Sequence, residues 1–238
     1  MSLPLQITKI SKSFGQKTIL DDVNFSVKSG EIFGFVGLNG VGKTTLIKII
    51  LDLLGEDFGQ VEIFGVDKIL PNSRKKICYL PEKFQPSNNL KGIEFIRFVL
   101  DFYQQKLDQE KLAKICENLD LPIKVLQQKV TKYSKGMTQK LGLIAIFLSK
   151  AELIILDEPM SGLDVKARIR LKKEFIDYKA QGRTIFFSSH ILSDIDEICD
   201  RIAVLNNAKI VFEGTPQAFK DKHRQENLDN AFLKEIAS

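Results

Sequence analysis

Cysteine, long apolar runs and charge of one sign are all scarce in this sequence, and each scarcity removes a class of protein. The three cysteines, Cys78, Cys116 and Cys199, stand alone with no CxxC pair or Cys/His spacing. That argues against a zinc module or a disulfide framework and fits a reducing, cytoplasmic compartment. LGLIAIFL, from Leu141 to Leu148, is typical of the longest apolar runs and falls well short of the roughly 20 residues that a membrane-spanning helix needs. MSLPLQITKI lacks the basic segment and apolar core of a secretion signal, so any membrane crossing is expected of another chain. The formal charge of +5, from 35 basic and 30 acidic residues, is too mild and too dispersed to point to nucleic acid, and suits an anionic membrane surface only weakly. No low-complexity tract or internal repeat stands out.

What is present is the composition of a folded protein. With 238 residues, 44% apolar and 27% charged, the chain can bury one substantial core, and one domain with a sub-lobe is expected. Val23, Phe25 and Val27 alternate with polar neighbours as in a half-buried strand, and Ser29-Gly30 turns the chain into the apolar strand EIFGFVG. After a glycine-rich loop, TLIKIILDLL predicts a helix against the sheet. VEIFG and KICYLPE read as short strands. Between Leu90 and Leu121, apolar residues at three- and four-residue intervals predict two amphipathic helices, a helical lobe inserted into an α/β core. Strand ELIILDE, helix LKKEFIDYKAQG, strand TIFFSSH and helix ILSDIDEICD then alternate as in a parallel sheet. RIAVL and AKIVF flank Asn206-Asn207, where asparagines would supply the positive φ angles of a hairpin. Thr215-Pro216 starts a helix in the tail.

GLNGVGKTT matches G-x-x-x-x-G-K-S/T after a strand and ahead of a helix. Gly37, Gly40 and Gly42 let backbone N–H groups turn toward phosphate oxygens, and the helix N-terminus adds a favourable dipole. Lys43 would reach the β- and γ-phosphates and the Thr44 hydroxyl would bind Mg²⁺. Leu38, Asn39, Val41 and Thr45 complete the candidate segment. The alternative is a glycine-rich turn with an incidental lysine. Asp157, at the C-terminal edge of LIILDE, would hold Mg²⁺ through water, and Glu158 is placed to polarise an attacking water; the alternative for both is a solvated strand end. His190 closes TIFFSSH and could donate to a phosphate oxygen, although a lone histidine is more often structural. His223, in KDKHRQEN, reads as a surface residue.

The order of these motifs resembles the nucleotide-binding subunit of the ATP-binding cassette (ABC) family over nearly the whole chain: P-loop, helical insertion, the signature YSKGM (Tyr133 to Met137), LIILDEP, the turn SGLD and the strand-end histidine. The resemblance implies an α/β fold: a P-loop NTPase core with a mixed sheet, an N-terminal antiparallel β-subdomain and an inserted α-helical subdomain. It implies one cassette over 1–238, with the RecA-like core and β-subdomain in 1–85 and 150–214, the helical subdomain in 86–149 and a short helical tail in 215–238. It also implies that two subunits, a homodimer or a pair with a related cassette, sandwich ATP head to tail. Ser134 and the Gly136 N–H would then contact the γ-phosphate held by the partner. YSKGM departs from the commoner LSGGQ and is similar to a variant of bacterial exporter-type cassettes. Lys135 would add charge near the phosphate or point to solvent. Glu82 stands where the family commonly has a phosphate-sensing glutamine and could still ligate Mg²⁺; Gln85 is a second candidate. Phe14 stands at the position of the adenine-stacking aromatic, with a buried core phenylalanine as the alternative.

The expected function is therefore an ATPase subunit using ATP and Mg²⁺ to power transport, export by the signature resemblance, through a separate transmembrane permease subunit at the cytoplasmic face of a membrane. A soluble ABC-type ATPase acting on ribosomes or nucleic acid is the alternative; the zinc modules, long coiled coils and double cassettes usual in such proteins are not found here. A small-molecule kinase sharing only the P-loop would leave YSKGM and SGLD unexplained.

Overall fold

Alternating burial builds the first layer. Val23, Phe25 and Val27 are buried while Asn24 faces water, and β2 (Lys17–Val27) pairs antiparallel with β1 (Leu5–Phe14). In the computed structural model, which describes residues 2–237, β1 also pairs with β4 (Phe58–Ile63), and β4 with β5 (Val66–Asp67). The result is a four-stranded antiparallel sheet in the order β2-β1-β4-β5.

The second sheet is mixed. β3 (Ile32–Val36), β6 (Ile77–Leu80), β7 (Leu153–Asp157), β8 (Thr184–Ser189) and β9 (Arg201–Asn206) run parallel, and β10 (Lys209–Gly214) closes one edge antiparallel to β9. The order is β10-β9-β3-β8-β7-β6. Its inner strands are near-continuous apolar runs because helices or a second sheet cover both faces. Phe33, Phe35, Ile155 and Phe186 point to a core shared with α1 (Lys43–Ile50) and the antiparallel sheet. Stacked rings of Phe25, Phe33, Phe35 and Phe186, with centroids 5.4 to 6.0 Å apart, bind the two sheets together. Ile32, Val36, Ile154, Leu156 and Phe187 point the other way. There they meet α4 (Lys135–Ser149), α5 (Val165–Ala180) and α6 (Leu192–Ile198), while α7 (Pro216–His223) and α8 (Leu228–Ala237) extend the same core. The inserted helices α2 (Gly92–Phe102) and α3 (Gln109–Asn118) pack on α4, as their apolar spacing predicts. Among the described residues no helix is long and apolar enough to cross a membrane.

Three local expectations need correction. The helix read from LKKEFIDYKAQG already begins at Val165 and ends at Ala180. The helix read from TLIKIILDLL stops at Ile50: Asp52 takes φ 57°, and bonds from Leu53 N–H to the Lys48 carbonyl and from Asp52 N–H to the Ile49 carbonyl close the end as a Schellman motif. Leu53 is left 66% exposed. The β9–β10 turn lies one residue late, since Asn206 pairs with Lys209 and the positive φ angles belong to Asn207 (46°) and Ala208 (67°).

Candidate functional site

β3, β7 and β8 end side by side, with Asp157 level with Ser188 and Val36 level with Ser189. The loop leaving β3 needs glycine for space as well as for backbone freedom. Gly40 and Gly42 have φ of 80° and 122°, a region open mainly to glycine. A Cβ at Gly42 would lie 3.0 Å from the Ile19 carbonyl oxygen, and one at Gly37 would lie 2.8 Å from that of Leu205. α1 starts without a capping side chain, so its first N–H groups remain available to an anion.

Lys43 is buried behind this loop. Its ammonium donates to the carbonyls of Gly37 at 2.7 Å and Leu38 at 3.2 Å and lies 3.1 Å from Glu158 Oε1. The Glu158 contact is an ion pair without hydrogen-bond alignment, and Oε1, buried, has no other partner. Glu158 Oε2 is 2.8 Å from His190 Nδ1, and Glu158 itself is held at φ 49°, a left-handed conformation that non-glycine residues seldom adopt outside turns and functional sites. Asp157, 2% exposed, accepts from Thr44 Oγ1 at 2.8 Å and from Ser188 Oγ at 2.6 Å. Ser188 Oγ in turn accepts from the Glu158 N–H at 3.0 Å. Burial, and then the charge of Asp157, push the nearby Tyr79 hydroxyl up to about 12, so it stays neutral.

A cleft of about 510 Å³ joins Phe14, Glu82, Ser161 and His190 to Lys43 and Thr44. Asn39, Gly40 and Thr45 also line it. Leu38, half exposed, contributes its carbonyl to Lys43, and Val41 packs toward Gly37. Phe14 is 53% exposed, which removes the core-residue alternative; the Lys12 ammonium sits 5.6 Å from its ring centroid. Glu82 is exposed in the cleft, and Gln85 is exposed but outside the lining. Ser134 and Gly136 are not in this lining either. Ser134 caps α4, its Oγ accepting from Met137 N–H at 3.2 Å, and Gly136 in the first turn faces the Gly162 carbonyl of SGLD. Lys135 lies along that same turn, with Cε 3.3 Å from where a Cβ on Gly162 would be. Sequence reasoning missed Ser188, the hinge between the two carboxylates; the polar pair Ser188-Ser189 ending an otherwise apolar strand was its signal. His223 is not the surface residue expected: it is half-buried, with Nε2 2.7 Å from Glu235 Oε2 and its ring against Phe219.

The donor chemistry fits Mg²⁺. Thr44 and Asp157 bring hard oxygen ligands to one point, and no group of three or more His, Cys, Asp or Glu suited to a metal occurs among the described residues. Mg²⁺ commonly completes its shell with water and substrate phosphate rather than with an all-protein cage.

A protein-family model described as ABC transporter matches residues 20–161. The chain belongs to the ABC transporter family. An uncharacterised ABC transporter ATP-binding protein of Synechocystis sp. is 35% identical over 82% of this chain and 56% of its own. The Nod factor export ATP-binding protein I of Sinorhizobium fredii is 30% identical over 92% of this chain and 64% of its own. This ABC chain thus spans less than two thirds of the length of either relative. A solved structure of an ATP-binding subunit of an ABC transporter superposes with a TM-score of 0.88 at 29% identity, covering 98% of this chain and 99% of that one.

Proposed function

We propose that this ABC protein binds and hydrolyses ATP to power export through a separate transmembrane subunit, working as a head-to-tail dimer at the cytoplasmic face of a membrane. The whole of 1–238 acts as one cassette, with 86–149 as its helical subdomain. The observation that carries the reading is the linked set Thr44–Asp157–Ser188–Glu158, with Lys43 and His190 on the two oxygens of Glu158. Similarity to a Nod factor export protein supports the direction of transport.

Phe14 stacks on the base and the P-loop N–H groups take the phosphates. Lys43 leaves its carbonyls and Glu158 for the β- and γ-phosphates. Mg²⁺, when bound, neutralises charge on the phosphate oxygens; Thr44, Asp157 and Glu82 would hold it. Freed Glu158 Oε1 accepts the proton of a water whose oxygen bonds to the γ-phosphorus. The bond to the β–γ bridging oxygen breaks, giving ADP and inorganic phosphate. His190 keeps the carboxylate oriented through Oε2. Ser134 and the Gly136 N–H complete the site on the partner's ATP.

Glu158→Gln, given ATP and Mg²⁺, is expected to run as a dimer in light-scattering chromatography. Ser134→Arg in that background is expected to bind ATP and stay monomeric. A Glu158→Gln protein that remains monomeric with membrane partner, ATP and Mg²⁺ all supplied would sink the proposal.

A further inference from the structure

Tyr133, one residue before Ser134, fills a notch that only glycine leaves open. Its hydroxyl donates to the Val125 carbonyl at 2.8 Å. A Cβ built on Gly92, the first residue of α2, would lie 2.2 Å from that hydroxyl oxygen, well inside any van der Waals contact. Gly92 is buried and is not among the positive-φ glycines, so its requirement is space and not backbone freedom.

The segments around this contact are stapled together. Gly92 N–H donates to the Gln128 carbonyl at 3.2 Å and Val130 N–H to that of Leu90 at 2.9 Å, around an antiparallel bridge between Lys91 and Lys129. Glu94 reaches back to the Lys91 N–H at 2.8 Å and fixes the first turn of α2. Burial first, with a smaller contribution from Cys116, pushes the Tyr133 hydroxyl up to about 12, so it remains a donor at neutral pH. The start of α2 and the approach to Ser134 therefore form one piece, keyed by an aromatic ring in a glycine notch.

We infer that Tyr133 is a positioning residue: lodged against Gly92 and bonded to Val125, it sets the N-terminus of α4 so that Ser134 meets the nucleotide of a second subunit. This rests on the role proposed for Ser134. A displacement of α2 is carried to Ser134 through this contact, without passing through the sheet.

The test uses the full chain in the Glu158→Gln background. It measures dimerisation against ATP concentration, binding of a fluorescent ATP analogue by the monomer, and the melting temperature. Tyr133→Phe keeps the ring and removes one hydrogen bond, so ATP-driven dimerisation is expected to weaken about five-fold. Gly92→Ala is expected to weaken it at least as much. Monomer binding should stay within about two-fold for both, by the same affinity arithmetic. Gly92→Ala combined with Tyr133→Leu should dimerise about as well as Tyr133→Leu alone, because leucine vacates the space that the added methyl needs while the hydrogen bond to Val125 is already lost.

If Gly92→Ala does not fold, Tyr133→Phe and Tyr133→Leu carry the test. Dimerisation of Tyr133→Phe at the ATP concentrations that dimerise the parent would overturn the inference, as would a double variant far weaker than Tyr133→Leu alone. A fall in monomer ATP binding as large as the fall in dimerisation would also overturn it, since that marks a merely structural contact, whereas a small drop in melting temperature is expected from the lost hydrogen bond. Ser134→Arg that still dimerises defeats the parent reading and this inference together. Ser134→Arg that blocks dimerisation while Tyr133→Phe does not defeats this inference alone.

Discussion

Lys43 and Glu158 hold each other in the site, and that contact has a measurable consequence. An ammonium 3.1 Å from a buried carboxylate must give it up before it can serve a phosphate. Glu158→Gln removes the charge that detains Lys43, so the variant should bind ATP several-fold more tightly in titration calorimetry while hydrolysis falls by at least about 100-fold, the scale of a lost general base. At Phe14 the ring is exposed to the cleft and aromatic stacking is worth about 1 kcal/mol. Phe14→Leu should therefore weaken ATP binding about five-fold and leave tripolyphosphate binding unchanged, whereas Phe14→Tyr should match the parent. The structure brings Lys43 to Glu158 and Thr44 to Asp157, a grouping the sequence anticipates because the P-loop pattern and the carboxylate pair each stand at the end of an apolar strand. Ser188 could not be anticipated in this way, because a serine on a strand reads as polar trim until its neighbour across the sheet is known. His223 reads as a surface residue in the sequence for a similar reason: its partner Glu235 lies on another helix.

Among the elements, periodicity located the strands and helices better than it located their ends. α1 ends on an aspartate in the left-handed region with no glycine to announce it, and α5 starts ahead of its apolar signal because Asp164 caps it, accepting from Ala167 N–H at 2.8 Å. Close approaches between elements were equally hidden. A Cβ at Gly142 in α4 would lie 2.5 Å from Leu80 and 3.0 Å from Phe84, so Gly142→Ala overpacks the contact of the insertion with β6 and should destabilise the fold by about 1–3 kcal/mol in denaturant unfolding. Glu174 on α5 offers a pH test. Burial raises its pKa, against the lowering effect of the Asn118 amide that donates to it. A raised carboxylate pKa favours the fold fully below the unfolded value of about 4.3, and that contribution is lost as pH rises through the folded value. Glu174→Gln keeps an acceptor for Asn118 and carries no charge. It should melt higher than the parent at pH 7.5, with the gain vanishing as the pH is lowered toward 4.

For the molecule as a whole, the motif order made the family legible, and the sheet order explains why that order works: the P-loop, the carboxylate pair and the histidine sit at the ends of β3, β7 and β8, which lie side by side although far apart in sequence. Ser134 and Gly136 stand outside that convergence, so the role proposed for them needs a second subunit. The position of β3 also bears on how the protein is made. Among the described residues, 32–36 pair only with β8 and β9, strands that leave the ribosome some 150 residues later. Until then the phosphate loop is a hairpinless tether beside an unfilled edge, and such long-range closure is slow to form. Chains released before Ser189 should bind no ATP, and appearance of ATP binding during synthesis should mark completion of the sheet; binding by a fragment ending near residue 160 would show that the loop matures on its own.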